Sequence, residues 1–386
     1  MKDLFTEQSD EYLNDITEIK GDKDAFNPFD NFTENSEYNE SYTDIVPEIQ
    51  LGDYRLPVIP SKSESARIRH FYNSAGVGII IHFALSFIIA NMLNFIAAAV
   101  IMLLNDVTFS EFMNDKGAVI QHYIDTSSIS PAITLLSYLT ANLLAFFIGL
   151  KIAGIKPNLL FKTSELTFFK VLQYCFIAIF LQFLVGRVIS RLQIVMTGAD
   201  VLGTSTSLTT YYSTKYAVLS MLYTCVVGPI TEELFYRGFV LKAFSRVSQR
   251  FGIIISALFF GLSHGNIAQF VLAFIVGIFM GYIDIKHNSV LPSIIAHVAV
   301  NSLATLSAFA GNFWATNQML WNILNYAAMA LAVAGLVMFI IFCRKNTFPR
   351  ADIRQQFRCG NIAVKSIGVV IAAIMYISLT LYITFR

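Results

Sequence analysis

From Gly76 to Leu104 the chain runs for 29 residues without one Asp, Glu, Lys or Arg. About 20 apolar residues in helical conformation cross the roughly 30 Å hydrocarbon core of a bilayer. Inside that core every backbone N–H and C=O must be satisfied within the protein, so helices and closed barrels are the only spanning solutions. Runs of this length read as helices. Similar runs lie near 129–150, 168–190, 216–241, 252–266, 268–285, 290–307, 320–343 and 362–384. The stretches between 252 and 307 are short and broken by Gly261, Gly265 and Pro292, which leaves the count at eight or nine. The expected fold is therefore all-α, a polytopic transmembrane helical bundle of about 8–9 spans. A composition of 55% hydrophobic against 14% charged residues agrees, and it excludes a set of soluble domains.

Residues 1–53 are a different material, holding 15 of the 26 acidic residues and three basic ones, Lys2, Lys20 and Lys23. So little apolar surface cannot offset the entropy of ordering. We expect a disordered acidic tail over 1–65 and a transmembrane helical domain over 66–386. The remaining chain carries 24 basic and 11 acidic residues, as expected of helices flanked by cytoplasmic Lys and Arg. Placing Arg67 and Arg69 inside puts Asp106, Glu111, Asp115 and Asp125 outside, and the tail in the cytoplasm. With no organelle-targeting pattern in the tail, a plasma membrane is the simplest home. Anionic lipid headgroups suffice as partners for the positive charge; no basic cluster with exposed aromatics suggests nucleic acid. Cys175, Cys225, Cys343 and Cys359 show no CxxC spacing, and suggest neither zinc nor disulfides.

Ionisable residues inside spans are costly and mark function by default. Three groups stand out: Glu232, Glu233 and Arg237; Phe260 and His264; His297 and Asn301. Glu233 and Arg237 are four apart and can pair on one helical face, which leaves Glu232 about 100° away and free to face something else. His297 and Asn301 share a face in the same way and could converge on one oxygen. Pro229 removes a backbone donor just before the glutamates. One buried Glu–Arg pair can be purely structural; a carboxylate, two imidazoles and an amide on neighbouring helices supply a base, a proton carrier and oxyanion donors. Asp284 with Lys286 reads as a helix-end pair.

These three groups resemble the signature of the CPBP intramembrane proteases, which include CAAX prenyl endopeptidases and bacteriocin-immunity (Abi) proteins: EExxxR, then FxxxH, then HxxxN. The match has no departure and spans a protease core at about 215–306. The resemblance implies hydrolysis of a peptide or protein substrate, lipidated in the prenyl proteases. It also implies that Glu232 and His264 activate water and that His297 and Asn301 stabilise the oxyanion. Glu233, Arg237 and Phe260 would support the site. No cofactor is required in that scheme. The alternative is a zinc enzyme with Glu232, His264 and His297 as ligands, although HExxH is absent. A non-proteolytic scaffold or self-immunity protein of the same fold is the competing reading of another class. The depths are in tension: Glu232 and His297 read as lying in the cytoplasmic half, while His264 falls about 20 Å from the inner surface at 1.5 Å per residue. A tilted fifth helix, one that starts below the headgroups, or different helix boundaries would resolve it.

Overall fold

The computed structural model describes residues 62–127, 129–162, 166–197, 217–246, 248–312, 318–348 and 359–385. The expected acidic tail lies outside these residues except for Lys62–Ser65, which already belong to the first helix. In chain order the long helices are α1 Lys62–Leu104, α2 Ile129–Ala153 and α3 Phe168–Thr197. A continuous helical path from Ala217 to Phe244 forms α4. Then come α5 Gln249–Leu262, α6 Ile267–His287 and α7 Leu291–Asn312, followed by α8 Gln318–Lys345 and α9 Ile367–Phe385. Among the described residues no strand forms beyond one bridge between Phe161 and Ser289.

Eight of these helices are long and apolar enough to cross a membrane, which resolves the sequence-based range of eight or nine. The ninth run is α5, with 14 residues. It rises about 21 Å, less than the hydrocarbon thickness. The chain is an integral membrane protein of helical-bundle type.

α4 lies at the centre. Its Phe235, Tyr236, Phe239, Val240 and Phe244 side chains are buried in the principal core. Phe239 enters a notch made by missing side chains on two neighbours: a Cβ on Gly78 of α1 would lie 2.4 Å from its ring, and one on Gly149 of α2 would lie 2.7 Å away. Small residues let membrane helices approach closely where apolar lipid offers little drive for association. α1 begins 14 positions before the apolar run, because its first turns also have a packing partner. Ile68, Tyr72 and Ala75 are buried there, with the Tyr72 ring 5.3 Å from Phe244 and 5.4 Å from Phe251. A second core joins α3, α6 and α8 through Tyr174, Ile177, Phe279 and Phe342.

Two readings of the connections change. The connection after α1, for which the sequence suggested no helix, is helical at Phe109–Glu111, Phe112–Lys116 and Gly117–Thr126. Its Ile120 and Ile124 are buried, packed with Leu93, Ala97 and Ile101 of α1. Thr108 and Glu111 form a capping box there. The Thr108 backbone N–H, with Lys116 3.0 Å away, holds the Glu111 carboxyl down at about 2. Asp284, expected beside Lys286 at a helix end, is fully buried and accepts from the Ser293 backbone N–H at 2.9 Å and from Ser293 Oγ at 2.6 Å. It thus satisfies an orphan donor at the start of α7, while the Lys286 ammonium bonds Asn346 Oδ1.

Candidate active site

Pro229 shapes α4 before any side chain contributes. It has no N–H to give to the carbonyl four or five residues earlier. The helix widens into a π turn over Tyr223–Val227, and the Gly228 N–H bonds Tyr223 O. Thr224 O is therefore left over: Gly228, its partner in an α-helix, is committed to Tyr223, and position 229, its partner in a π-helix, has no donor. Asn301 Nδ2 of α7 fills the gap, donating to Thr224 O at 3.1 Å. The α-helical piece Gly228–Glu233 then leads into a second π segment, Leu234–Leu241. Such bulges inside helices are frequent at functional sites.

The two glutamates part as their positions require. Glu233 is fully buried and lies 3.1 Å from Arg237 Nε, itself fully buried. That contact lacks aligned hydrogen-bond geometry, so charge attraction rather than a shaped hydrogen bond joins the pair. The guanidinium also lies 4.1 Å from the centroid of the Phe260 ring, a favourable place for a desolvated cation. Glu233 has a second partner that spacing did not reveal: its Oε1 accepts from His297 Nδ1 at 2.8 Å. The opposite ring nitrogen, His297 Nε2, lies 4.0 Å from Glu232 Oε2. Glu232 is about 30% exposed, the partial access that a working carboxylate needs and that Glu233 lacks.

His264 follows the end of α5, where backbone carbonyls lose their partners. Phe260 O accepts there from both His264 Nδ1 at 2.8 Å and Ser263 Oγ at 2.7 Å. A carbonyl can only accept, so His264 carries its proton on Nδ1 and presents Nε2 as an acceptor. Its electrostatic neighbours include Glu232 and His297. Gly265, at φ +75°, reverses the chain, and the Asn266 side chain caps α6 by accepting from Gln269 N at 2.8 Å. The Phe260 ring touches both imidazoles edge-on, with centroids 5.0 Å from His264 and 5.7 Å from His297.

The tension over depth disappears because α4 continues to Phe244. Glu232 lies 12 positions before that end and His264 lies 15 positions after Gln249, about 18 Å and about 22 Å along their axes. The two residues thus lie at similar distances from those helix ends. The structure thus gathers Glu232, Glu233, Arg237, Phe260, His264 and His297 around one place. Asn301 lies on the same side of α7, with one N–H of its amide on Thr224 O. Among the described residues no group of three or more His, Cys, Asp or Glu side chains is arranged to hold a metal ion.

Residues 214–303 match the model of the type II CAAX prenyl endopeptidase Rce1-like family. No curated protein and no solved structure matches the chain. The Rce1-like segment takes in α4, α5, α6 and most of α7, all the residues described above. By that match it is similar to the core of CAAX-type prenyl endopeptidases. The helices before and after it lie outside the match, and they contribute polar contacts that motif reading passed over. His82 of α1, Asn142 of α2 and Tyr376 of α9 are buried, with His82 hydrogen-bonded to each of the other two. Their separation in sequence hides them: His82 and Tyr376 are 294 positions apart.

Proposed function

We propose that the Rce1-like core hydrolyses a peptide bond with a water activated by Glu232, assisted by His264. The observation that carries this reading is the paired use of the two glutamates. Glu233 fixes His297 through Nδ1, and Nε2 then faces the partly exposed Glu232 across 4.0 Å. That gap is too long for a hydrogen bond and short enough for one water to touch both groups. A carboxylate that holds the water takes its proton as the oxygen bonds to the carbonyl carbon. His297 Nε2, when protonated, and the second N–H of Asn301 would hold the oxyanion. Cleavage of the C–N bond returns the proton to the leaving amine. Ser263 is unsuited as a nucleophile, since its proton goes to Phe260 O.

The substrate class is a peptide or protein presented at the membrane, and membrane lipids are the surrounding partner. The tail would lie in the cytoplasm of a cell with this protein in its plasma membrane. Protease accessibility of an N-terminal tag in sealed vesicles tests that placement.

Cleavage of a labelled peptide by purified wild-type protein, compared with Glu232→Gln, tests the enzyme reading against a non-proteolytic scaffold or immunity protein. Equal turnover by both would remove Glu232 as the base. Asn301→Ala should lower kcat by about 10²- to 10³-fold if its amide supports the oxyanion; a drop in folded yield with unchanged kcat would assign it to Thr224 O alone.

Zinc held by Glu232, His264 and His297 is the second reading. One observation favours it: a carboxylate bonded to the far nitrogen of a histidine is the usual way of orienting a metal-ligating imidazole, as Glu233 does for His297. A catalytic zinc needs three protein ligands converging at about 2 Å, and we favour the metal-free scheme on that ground. Stoichiometric zinc in active protein, with chelation reversibly abolishing turnover, would reverse the preference.

A further inference from the structure

A second buried polar assembly lies behind the site, and its direction can be worked out from one end. Gly228 O is an obligate acceptor, and Thr231 Oγ1 lies 3.0 Å from it, so the threonine hydroxyl donates there. Thr231 Oγ1 must then accept from Asn142 Nδ2 at 3.0 Å. That orients the Asn142 amide so that Oδ1 faces His82 Nε2 at 2.7 Å, and the imidazole donates. His82 is thereby the Nε2–H tautomer, and its Nδ1 accepts from Tyr376 Oη at 2.9 Å. Every link is satisfied and all point one way, from α9 through α1 and α2 into α4. All four side chains are buried.

The chain ends on the residue before Glu232. The imidazole also stacks on Phe235, with centroids 4.4 Å apart and planes 23° apart. Thr231 and Phe235 are four positions apart, so His82 and Asn142 grip one face of α4 while Glu232 and Glu233 occupy other directions. This grip has something to do. The six-residue α piece Gly228–Glu233 lies between two π segments, so the hydrogen-bond register changes on both sides of it. Contacts from outside α4, at Thr231 and Phe235, are therefore placed where they can fix the rotation of Glu232 toward His297.

We propose that His82, Asn142 and Thr231 are positioning residues that set the rotation of the turn carrying Glu232 and Glu233. The proposal deepens the hydrolytic reading and rests on it for its kinetic consequence. It touches no substrate and assigns no proton transfer to His82.

The test uses full-length protein in nanodiscs, with Thr231→Val, Thr231→Ser, Asn142→Ala and the Thr231→Val/Asn142→Ala double variant. Valine matches threonine in shape but has no hydroxyl, serine restores the hydroxyl, and Asn142→Ala leaves α4 unchanged should Thr231→Val fail to insert. Amide hydrogen exchange over 228–236 should rise by about 10-fold or more in the two disrupting variants, relative to 267–312. On a cleaved peptide, kcat should fall by about 10-fold or more with KM unchanged, since a displaced catalytic group loses orientation and not binding. The double variant should be no worse than either single one, and Thr231→Ser should resemble wild type. Unchanged exchange over 228–236 in folded Asn142→Ala protein overturns the proposal, as does additive loss in the double variant or a loss of rate that merely tracks the folded fraction. If wild type and Glu232→Gln are equally inactive, the hydrolytic reading falls, while the exchange measurement still decides whether these residues hold the turn.

Discussion

α1 and α4 are both long apolar helices, yet they treat the membrane in opposite ways. In the most apolar window of α1 only 11% of residues are buried, against 33% in α4. The C-terminal half of α1 leaves Phe87, Phe95, Leu103 and Leu104 exposed, and in a bilayer such apolar surface needs no protein partner. α4 carries Pro229, Glu232, Glu233 and Arg237 and is enclosed by α1, α2, α5 and α7. The lesson concerns cost. A carboxylate and a guanidinium can reside in a membrane helix only when other helices take the place of water around them, so the charged stretch of this span is enclosed by its neighbours, with Glu233 and Arg237 fully buried.

The sharpest way to break the contrast is at Glu232. Glu232→Gln keeps shape and removes the base, and peptide cleavage by folded protein should fall by at least about 10³-fold; retained turnover would reduce α4 to a structural helix. Next in size is Arg237→Ala, which leaves Glu233 buried and charged without its 3.1 Å partner. Breaking a buried pair costs about 3–5 kcal/mol, so the folded yield in detergent should drop steeply. The double variant Glu233→Leu/Arg237→Met should recover yield but not activity, because His297 would still lack its Nδ1 acceptor. Normal yield with zero activity for Arg237→Ala would move that residue into the chemistry.

A smaller effect should follow from Gly277→Ala on α6. The new Cβ would lie 3.1 Å from Arg237 Nη2 and 3.3 Å from both Ala257 Cβ and Phe260 Cδ1. Overpacking of this kind costs about 1–3 kcal/mol, read as a lowered thermal midpoint, and an unchanged midpoint would show that the neighbours yield freely. The smallest effect belongs to the water-facing cap after α1. Glu111 sits at about 2, below its ordinary value of 4.5. Its contribution is therefore fully present above about pH 4.5 and is lost as pH falls toward 2. Acidification over that range should fray the 109–126 helix locally, visible as faster amide exchange there with no change in α4. Unaltered exchange would show that the packing of Ile120 and Ile124 alone holds it.

The membrane class, the helical fold and the motif residues were legible from the sequence because each is a local property. Apolar run length is set by bilayer thickness, and the spacing of four in Glu233–Arg237 is set by the helical repeat. The ion pair formed as that spacing required. Where the reading fell short, the cause was non-local. The second partner of Glu233 and the acceptor for Asn301 come from helices 64 and 77 positions away. The 109–126 helix was passed over because its apolar residues make sense only against α1.

By itself, the sequence determined that this chain crosses the membrane repeatedly as helices and carries two glutamates, two histidines, an arginine and an asparagine at family spacing. Those facts follow from the solvent and from the 3.6-residue turn. Only the tertiary structure decided that His297 stands between the two glutamates, Nδ1 on Glu233 and Nε2 toward Glu232, since that ring comes from another helix. It also decided where the helix widens, because the carbonyl that Pro229 strands has to be answered by a donor from another helix, and no local pattern specifies which one.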